Sequence, residues 1–393
     1  MDRRLHAVVL PPGPRLLGAL AAALDGTGPA ICPLSPDLPA PALRTLLDAL
    51  VPDAVETADG VTARRGPAPA VPVAPGTAVL IATSGSTGAP KFVELTAAAL
   101  RHSATATLAR IGAAPGDRWL CCLPTSHIAG VQVLVRSLVA GSDPVILPHF
   151  DLAAVTAEHD VHIAMVPTQL RRLLDAGTDL SRLGTVVLGG AAAAPGLLAE
   201  ARARGGRIVT TYGMSETCGG CVYDGVPLDG TRVALGPDGR IRLAGPALFS
   251  GYRLRPEESA AARDGEWFVT RDLGALEDGR LRVRGRLDDV INTGGEKVVA
   301  GEVAAALSRH PRVHDVVVVG RPDPEWGERV TAVIVPVPGA ATAPGLPELR
   351  ALVRETMPAY AAPHEVELVE AIPLLASGKP DRARLRSSSA AGA

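Results

Sequence analysis

The chain reads as an α/β protein: a large N-terminal domain with doubly wound sheets and a small β unit, followed by a smaller, mobile α+β domain. Three observations predict this. Between about residues 78 and 215, short β-branched runs alternate with amphipathic helical stretches, the pattern of strands covered by helices. Between about 228 and 287 the helical pattern gives way to brief strands punctuated by turn pairs at Asp238-Gly239, Asp264-Gly265 and Asp278-Gly279. From about 290 a mixed pattern returns, with a helix near 300–309, the strands DVVVVG and VTAVIVPV, a Pro/Ala/Gly-rich loop at 338–346, and a last helix and strand. The domains are therefore drawn at 1–287 and 290–393, with the β unit at about 228–287.

In order, the first 75 residues carry the weakest signals. The strand AVLIAT then leads into TSGSTGAPK, and a helix over TAAALRHSATATLARIG follows. WLCCL, the helical GVQVLVRSLVAG, PVIL, HIAMV, PTQLRRLLDAG, TVVLGG, PGLLAEARARG and RIVTTY continue the alternation. In doubly wound sheets ligands collect beyond the carboxyl ends of strands, and TSGSTG, GGAA and YGMSET each follow a strand there. The three loops are expected to face one crevice.

Bulk properties narrow the function classes. Lys plus Arg number 39 against 41 Asp plus Glu, which gives no electrostatic case for nucleic acid or an anionic membrane. The opening MDRRLHAVVLPPGPRLL is interrupted by prolines and is not read as a signal peptide, and no apolar run reaches spanning length. With five cysteines, two of them adjacent at Cys121 and Cys122, a disulfide framework is a poor fit and a reducing cytoplasm a good one. Cys218 and Cys221 form a C-x-x-C without the second pair that zinc would need. The oligomeric state is left open, a homodimer included.

Lysine is the rarest charge. Of 39 basic residues only Lys91, Lys297 and Lys379 are lysines, and each sits in a glycine-bearing motif. A compact ammonium on a flexible stem serves where a planar fork does not. In TSGSTGAPK, Thr83, Ser84, Gly85, Ser86, Thr87 and Gly88 supply hydroxyls and turnable backbone N–H groups, and Lys91 adds charge, which suits a phosphate-wrapping loop. It is not a Walker A loop. In YGMSET, Tyr212 can cover a planar base, Gly213 allows a close turn, and Glu216 can hold Mg²⁺ bridging phosphate oxygens. Asp272 in TRDLG can accept from ribose hydroxyls, and Arg286 in GRLDD can serve the same sugar or a phosphate; each can equally be a solvated loop charge.

The motifs TSGSTGAPK, YGMSET, TRDLG with GRLDDVINTGGEKV, and LLASGKPDR, in this order, resemble the adenylate-forming superfamily of acyl-CoA synthetases, adenylation domains and luciferases. The resemblance spans about residues 75–386, and LPTSHIAGVQVLVRSLVAG, VPTQLRRLL and PDPEWGERV are most similar to the short actinobacterial 2-succinylbenzoate–CoA ligases. It implies two half-reactions: a carboxylic acid attacks ATP to give an acyl-adenylate and pyrophosphate, then coenzyme A displaces AMP. Lys379 is implied as the adenylation lysine, Lys91 and Glu216 as its partners in catalysis, and Gly189, Gly190, Ala191 and Thr217 as nucleotide contacts.

The resemblance also implies a hinge at Asp288, within 288–289, that brings Gly294, Gly295 and Lys297 in for thioester formation. Lys297 either guides CoA phosphates or sits on the surface. His127, Arg136 and Gln169 are implied at the acyl pocket. Arg136 lies in an apolar helix, where a charge needs a partner: either an anionic group of the acid, such as the succinyl carboxylate, or an Asp or Glu of the chain. Two positions depart from the family pattern, Phe92 and Arg271, where many members have glycine. Other readings are an adenylating ligase for another aryl acid, one that loads a carrier protein, or an inactive nucleotide-binding regulator.

Overall fold

The computed structural model describes residues 3–64, 69–84, 90–340, 342–375 and 380–387. The chain divides into two compact units, one formed by 1–190, 201–233 and 243–269, the other by 191–200, 234–242 and 270–393.

The first unit contains two seven-stranded sheets. One runs in the order Gly251–Tyr252, Pro90–Thr96, Thr77–Ser84, Ala30–Leu34, Leu5–Val9, Ala54–Thr57, Gly60–Ala63. Its middle is parallel, where Leu5–Val9 pairs with Ala30–Leu34 and Ala54–Thr57, and its flanks are antiparallel. Most of this sheet comes from the first 75 residues, the part with the weakest sequence signal. The other sheet, Val226–Pro227, Gly219–Tyr223, Arg207–Met214, Thr185–Leu188, Val161–Met165, Arg118–Cys121, Val145–Ile146, is the parallel ladder expected from the alternation, with antiparallel strands added at one edge.

The helices Pro14–Asp25, Ala97–Ile111 and Ile128–Ala140 pack on one another and between them touch both sheets. The second of these starts where the Thr96 hydroxyl accepts from Ala99 N at 3.1 Å, and it ends at Gly112, whose φ of 67° is the left-handed stop that glycine takes without strain. Gly130 sits in the first turn of Ile128–Ala140 for a steric reason: a Cβ there would meet Pro124 O at 2.4 Å. The loop preceding the helix is thereby pressed against it. Among the described residues no helix is long and apolar enough to cross a membrane.

The Asp278-Gly279 turn joins Trp267–Glu277, which enters the second unit at Thr270, to Arg280–Arg286 as an antiparallel hairpin. A further sheet runs Glu296–Val299, Val290–Thr293, Gly327–Pro336, Val313–Asp323, with Glu365–Leu368 parallel to Gly327–Pro336. Alternate residues of the two long strands face opposite sides. Val318, Val330 and Ile334 bury against Val303, Leu307, Leu349 and Val353, while Val317, Val319, Val333 and Val335 meet Ile372 and Leu385.

Candidate active site

The strands that flank residues 85–89 of TSGSTGAPK form an antiparallel pair. Thr77–Ser84 pairs antiparallel with Pro90–Thr96, Thr83 faces Lys91, and the Thr83 hydroxyl donates to the Lys91 carbonyl at 3.2 Å. Gly85, Ser86, Thr87 and Gly88 lie outside the described residues, as does Lys379. Strand alternation then decides the orientation of Phe92. Lys91 stands on the accessible side of the strand, and Phe92, 2% exposed, packs inward with Leu80, Leu5 and Cys32. The departure from glycine at this position fills the core.

Lys91 is held on two sides. Its Nζ lies 2.7 Å from Glu258 Oε2 and 4.2 Å from the centre of the Tyr252 ring. Arg255 shares Glu258 through Oε1 at 2.5 Å, and these hydrogen bonds, Lys91's first, hold the Glu258 carboxyl below the usual carboxylate range. Tyr252 belongs to the edge strand beside Pro90–Thr96 and reaches across to the other sheet, where its hydroxyl donates to Glu216 Oε1 at 2.9 Å. Burial, and then the Glu216 charge, push the Tyr252 phenol upward, so it remains a donor.

Glu216 lies on the short helical turn Ser215–Thr217 after Arg207–Met214. The turn is tied from within: Met214 N donates to the Thr217 hydroxyl at 2.9 Å, and that hydroxyl donates to Gly219 O at 2.7 Å. Thr217, buried, ties this turn through its hydroxyl. Gly213 is obligatory, since a Cβ there would lie 2.0 Å from Gly219 O; Tyr212 beside it is half-buried. Phe249 N donates to Glu216 O at 2.8 Å, so one segment supports both the backbone and the side chain of this residue. Gly189 is pressed toward Thr211, and Gly190 takes a φ of 82° beyond the neighbouring strand; Ala191, which follows, is exposed.

A divalent cation fits Glu216 in one way. The carboxylate accepts the Tyr252 hydrogen bond and forms no ion pair among the described residues, and no group of three or more His, Cys, Asp or Glu residues there can hold a metal. Such a site must draw its remaining ligands from phosphate oxygens and water, the habit of Mg²⁺.

Arg136, 3% exposed on Ile128–Ala140, is placed differently. Its guanidinium stacks 5.0 Å from the Trp119 ring, and Nη2 reaches the Tyr223 hydroxyl at 3.4 Å, which in turn lies 3.0 Å from the Thr107 hydroxyl. Nε and Nη1 are buried without a hydrogen-bond partner, and no carboxylate of the described residues pairs with it. His127 is half-buried just before the same helix. Gln169 places its amide oxygen on Val166 N at 3.1 Å, capping Pro167–Asp175.

In the second unit Asp272 is buried, with Oδ1 3.6 Å from Arg286 Nη1. Arg271 forms a two-pronged pair with Asp288, which holds the Asp288 carboxyl below its usual range. Asp289 is paired by Arg382 and Arg386. Gly294 and Gly295, both at positive φ, make the hairpin turn before exposed Lys297, and Trp326 packs on Gly294.

Residues 20–253 match the family model of the AMP-binding enzyme, and 302–379 match the AMP-binding enzyme C-terminal domain. The chain belongs to the AMP-binding enzyme family, and it is an adenylate-forming enzyme of the acyl-CoA ligase class, whose reactants are ATP with Mg²⁺, an acid and CoA. It is 44% identical over 329 residues to a probable 2-succinylbenzoate–CoA ligase of Mycobacterium tuberculosis, covering 78% of this chain and 83% of that one, and 35% identical over 340 residues to the 2-succinylbenzoate–CoA ligase of Bacillus pumilus, covering 79% and 69%. Among solved structures it is similar to o-succinylbenzoate CoA synthetase from Bacillus subtilis in complex with its acyl-adenylate intermediate, at a TM-score of 0.81 and 26% identity over 98% of this chain and 88% of that one. It is also similar to an amide bond synthetase of Marinactinospora thermotolerans, at a TM-score of 0.86 and 27% identity over 98% and 90%.

Proposed function

We propose that the protein converts 2-succinylbenzoate to 2-succinylbenzoyl-CoA through an acyl-adenylate, in the cytoplasm and in the service of menaquinone biosynthesis. The observation that carries the choice of acid is Arg136: a buried guanidinium with two nitrogens unanswered and no carboxylate partner among the described residues is matched by an acid bearing a second, anionic carboxylate. The names of the relatives support the same acid.

Phosphoryl chemistry of this kind asks a protein mainly for positioning and charge neutralisation. Lys91 attracts the phosphates of ATP, and the TSGSTG segment before it wraps them. Glu216 holds Mg²⁺, which when bound neutralises phosphate charge. Lys379 supplies the cation near the reacting carboxylate. Tyr212 covers the adenine, and Asp272 with Arg286 binds ribose hydroxyls. No general base is required, because a carboxylic acid is already ionised near neutral pH. The hinge at Asp288 and the thiolation role of Gly294, Gly295 and Lys297 belong to the same reading.

The test is pyrophosphate release across a panel of aryl and aliphatic acids, followed by product mass with CoA present. The expected outcome is release with 2-succinylbenzoate and a CoA thioester product. Background release with that acid, alongside strong release with a monocarboxylic acid, overturns the choice of acid.

A further inference from the structure

Two residues of the nucleotide half-reaction stand on different sheets, and a third side chain joins them. Lys91 belongs to Pro90–Thr96 of one sheet, and Glu216 follows Arg207–Met214 of the other. Tyr252 touches both: its ring face lies 4.2 Å below Lys91 Nζ, and its hydroxyl is 2.9 Å from Glu216 Oε1. Tyr252 is itself fixed. Its N–H donates to the Ser259 hydroxyl at 2.8 Å, and its backbone pairs with Val93, two residues beyond Lys91. Glu258 closes the figure by pairing with Lys91, and Arg255, bonded to Glu258, also donates to Pro90 O at 3.0 Å.

We propose that Tyr252 is a positioning residue for adenylate formation: its hydroxyl turns the Glu216 carboxylate toward Mg²⁺, and its ring holds Lys91 beside the same phosphates. The role rests on the assignment of Glu216 to Mg²⁺ and Lys91 to ATP made above. A carboxylate on a three-bond stem samples many orientations in water, and a fixed donor on one oxygen leaves the other presented in a single direction. The ring adds a second constraint, since a cation above an aromatic face is held by the ring quadrupole without being neutralised.

The two functions separate by substitution. Tyr252→Phe removes the hydroxyl and keeps the ring; Tyr252→Leu removes both. With the full-length protein and no acid present, calorimetry gives the dissociation constants of ATP with and without Mg²⁺. For Tyr252→Phe the expected result is an Mg²⁺-dependent ATP affinity weakened about 10-fold or more, the effect of losing an outer partner of a metal ligand. Affinity for metal-free ATP and thioester formation from supplied acyl-adenylate stay as in wild type. Tyr252→Leu additionally weakens metal-free ATP. An unchanged Mg²⁺ response in Tyr252→Phe overturns the role, and so does an equal loss in all three measurements together with a lowered melting temperature, which marks a structural residue. Glu216→Gln separates the levels. If Glu216→Gln loses the Mg²⁺ response and Tyr252→Phe keeps it, only the role of Tyr252 falls. If Glu216→Gln keeps the response, the metal assignment falls and takes the role with it.

Discussion

Lys91 and Arg136 are both cations of the first unit, and the protein treats them in opposite ways. Lys91 is half-buried and already answered, by Glu258 at 2.7 Å and the Tyr252 ring at 4.2 Å. Arg136 is buried and, among the described residues, answered only by neutral groups, an indole face and a phenol. A cation with a partner of its own is pre-positioned, and an incoming anion must compete for it. A buried cation without one raises the free energy of the empty protein and returns that energy when an anion arrives. On the proposed reading, the difference separates a charge that meets the phosphates of ATP from one that selects the acid.

Removing Arg136 breaks this contrast most sharply. Arg136→Met should lower kcat/KM for a dicarboxylic acid by about 10²- to 10³-fold, the loss expected of a buried charge pair worth about 3–4 kcal/mol. It should leave an acid without the second carboxylate nearly unaffected, and the melting temperature of the empty protein should rise. An equal fall for both acids assigns Arg136 to structure. Lys91→Met comes next: ATP-dependent pyrophosphate release should fall about 10²-fold with little change in the KM for the acid, and the melting temperature should drop slightly, since a partly exposed pair stabilises little. A rise in melting temperature here erases the distinction between the two cations.

The smallest effect concerns pH. Glu258 has a depressed carboxyl, so its stabilisation is present above the ordinary glutamate value of about 4.3 and is lost as pH falls through its lower folded value. The urea midpoint of wild type should exceed that of Glu258→Gln near neutrality, and the two should converge below about pH 4. Arg136→Met should show no such convergence with wild type, because no carboxylate of the described residues titrates against that guanidinium.

Much of the scaffold was legible because its signals are local. The parallel ladder from Arg118 to Met214 follows from β-branched runs spaced by amphipathic helices, and the Asp-Gly pairs at 238–239, 264–265 and 278–279 fall at turns between strands. The rarity of lysine pointed to Lys91. Its partners were not legible, because Tyr252 and Glu258 reach it only through the pairing of Gly251–Tyr252 with Pro90–Thr96, strands more than 150 residues apart. A signal did exist in composition: the chain has four tyrosines, and Tyr212, Tyr223 and Tyr252 all lie at or beside candidate site residues. The antiparallel pairing of the strands that flank TSGSTGAPK was hidden for the same reason, since a strand that pairs with its successor and one that enters a helix begin alike. Arg271 could be read as a departure, but its pairing with Asp288 depends on the register of a hairpin bulged between Leu273 and Gly274.

The five cysteines take on a meaning beyond the redox compartment. All are buried, and burial raises every one of their thiols, those of Cys121, Cys122 and Cys221 up to about 12. An acyl-adenylate is a mixed anhydride that any thiolate attacks, and a thiol with so high a pKa has about one part in 10⁵ as thiolate near neutral pH. Burial thus disfavours the form of the enzyme's own sulfur that would compete for the intermediate with the thiol delivered from outside.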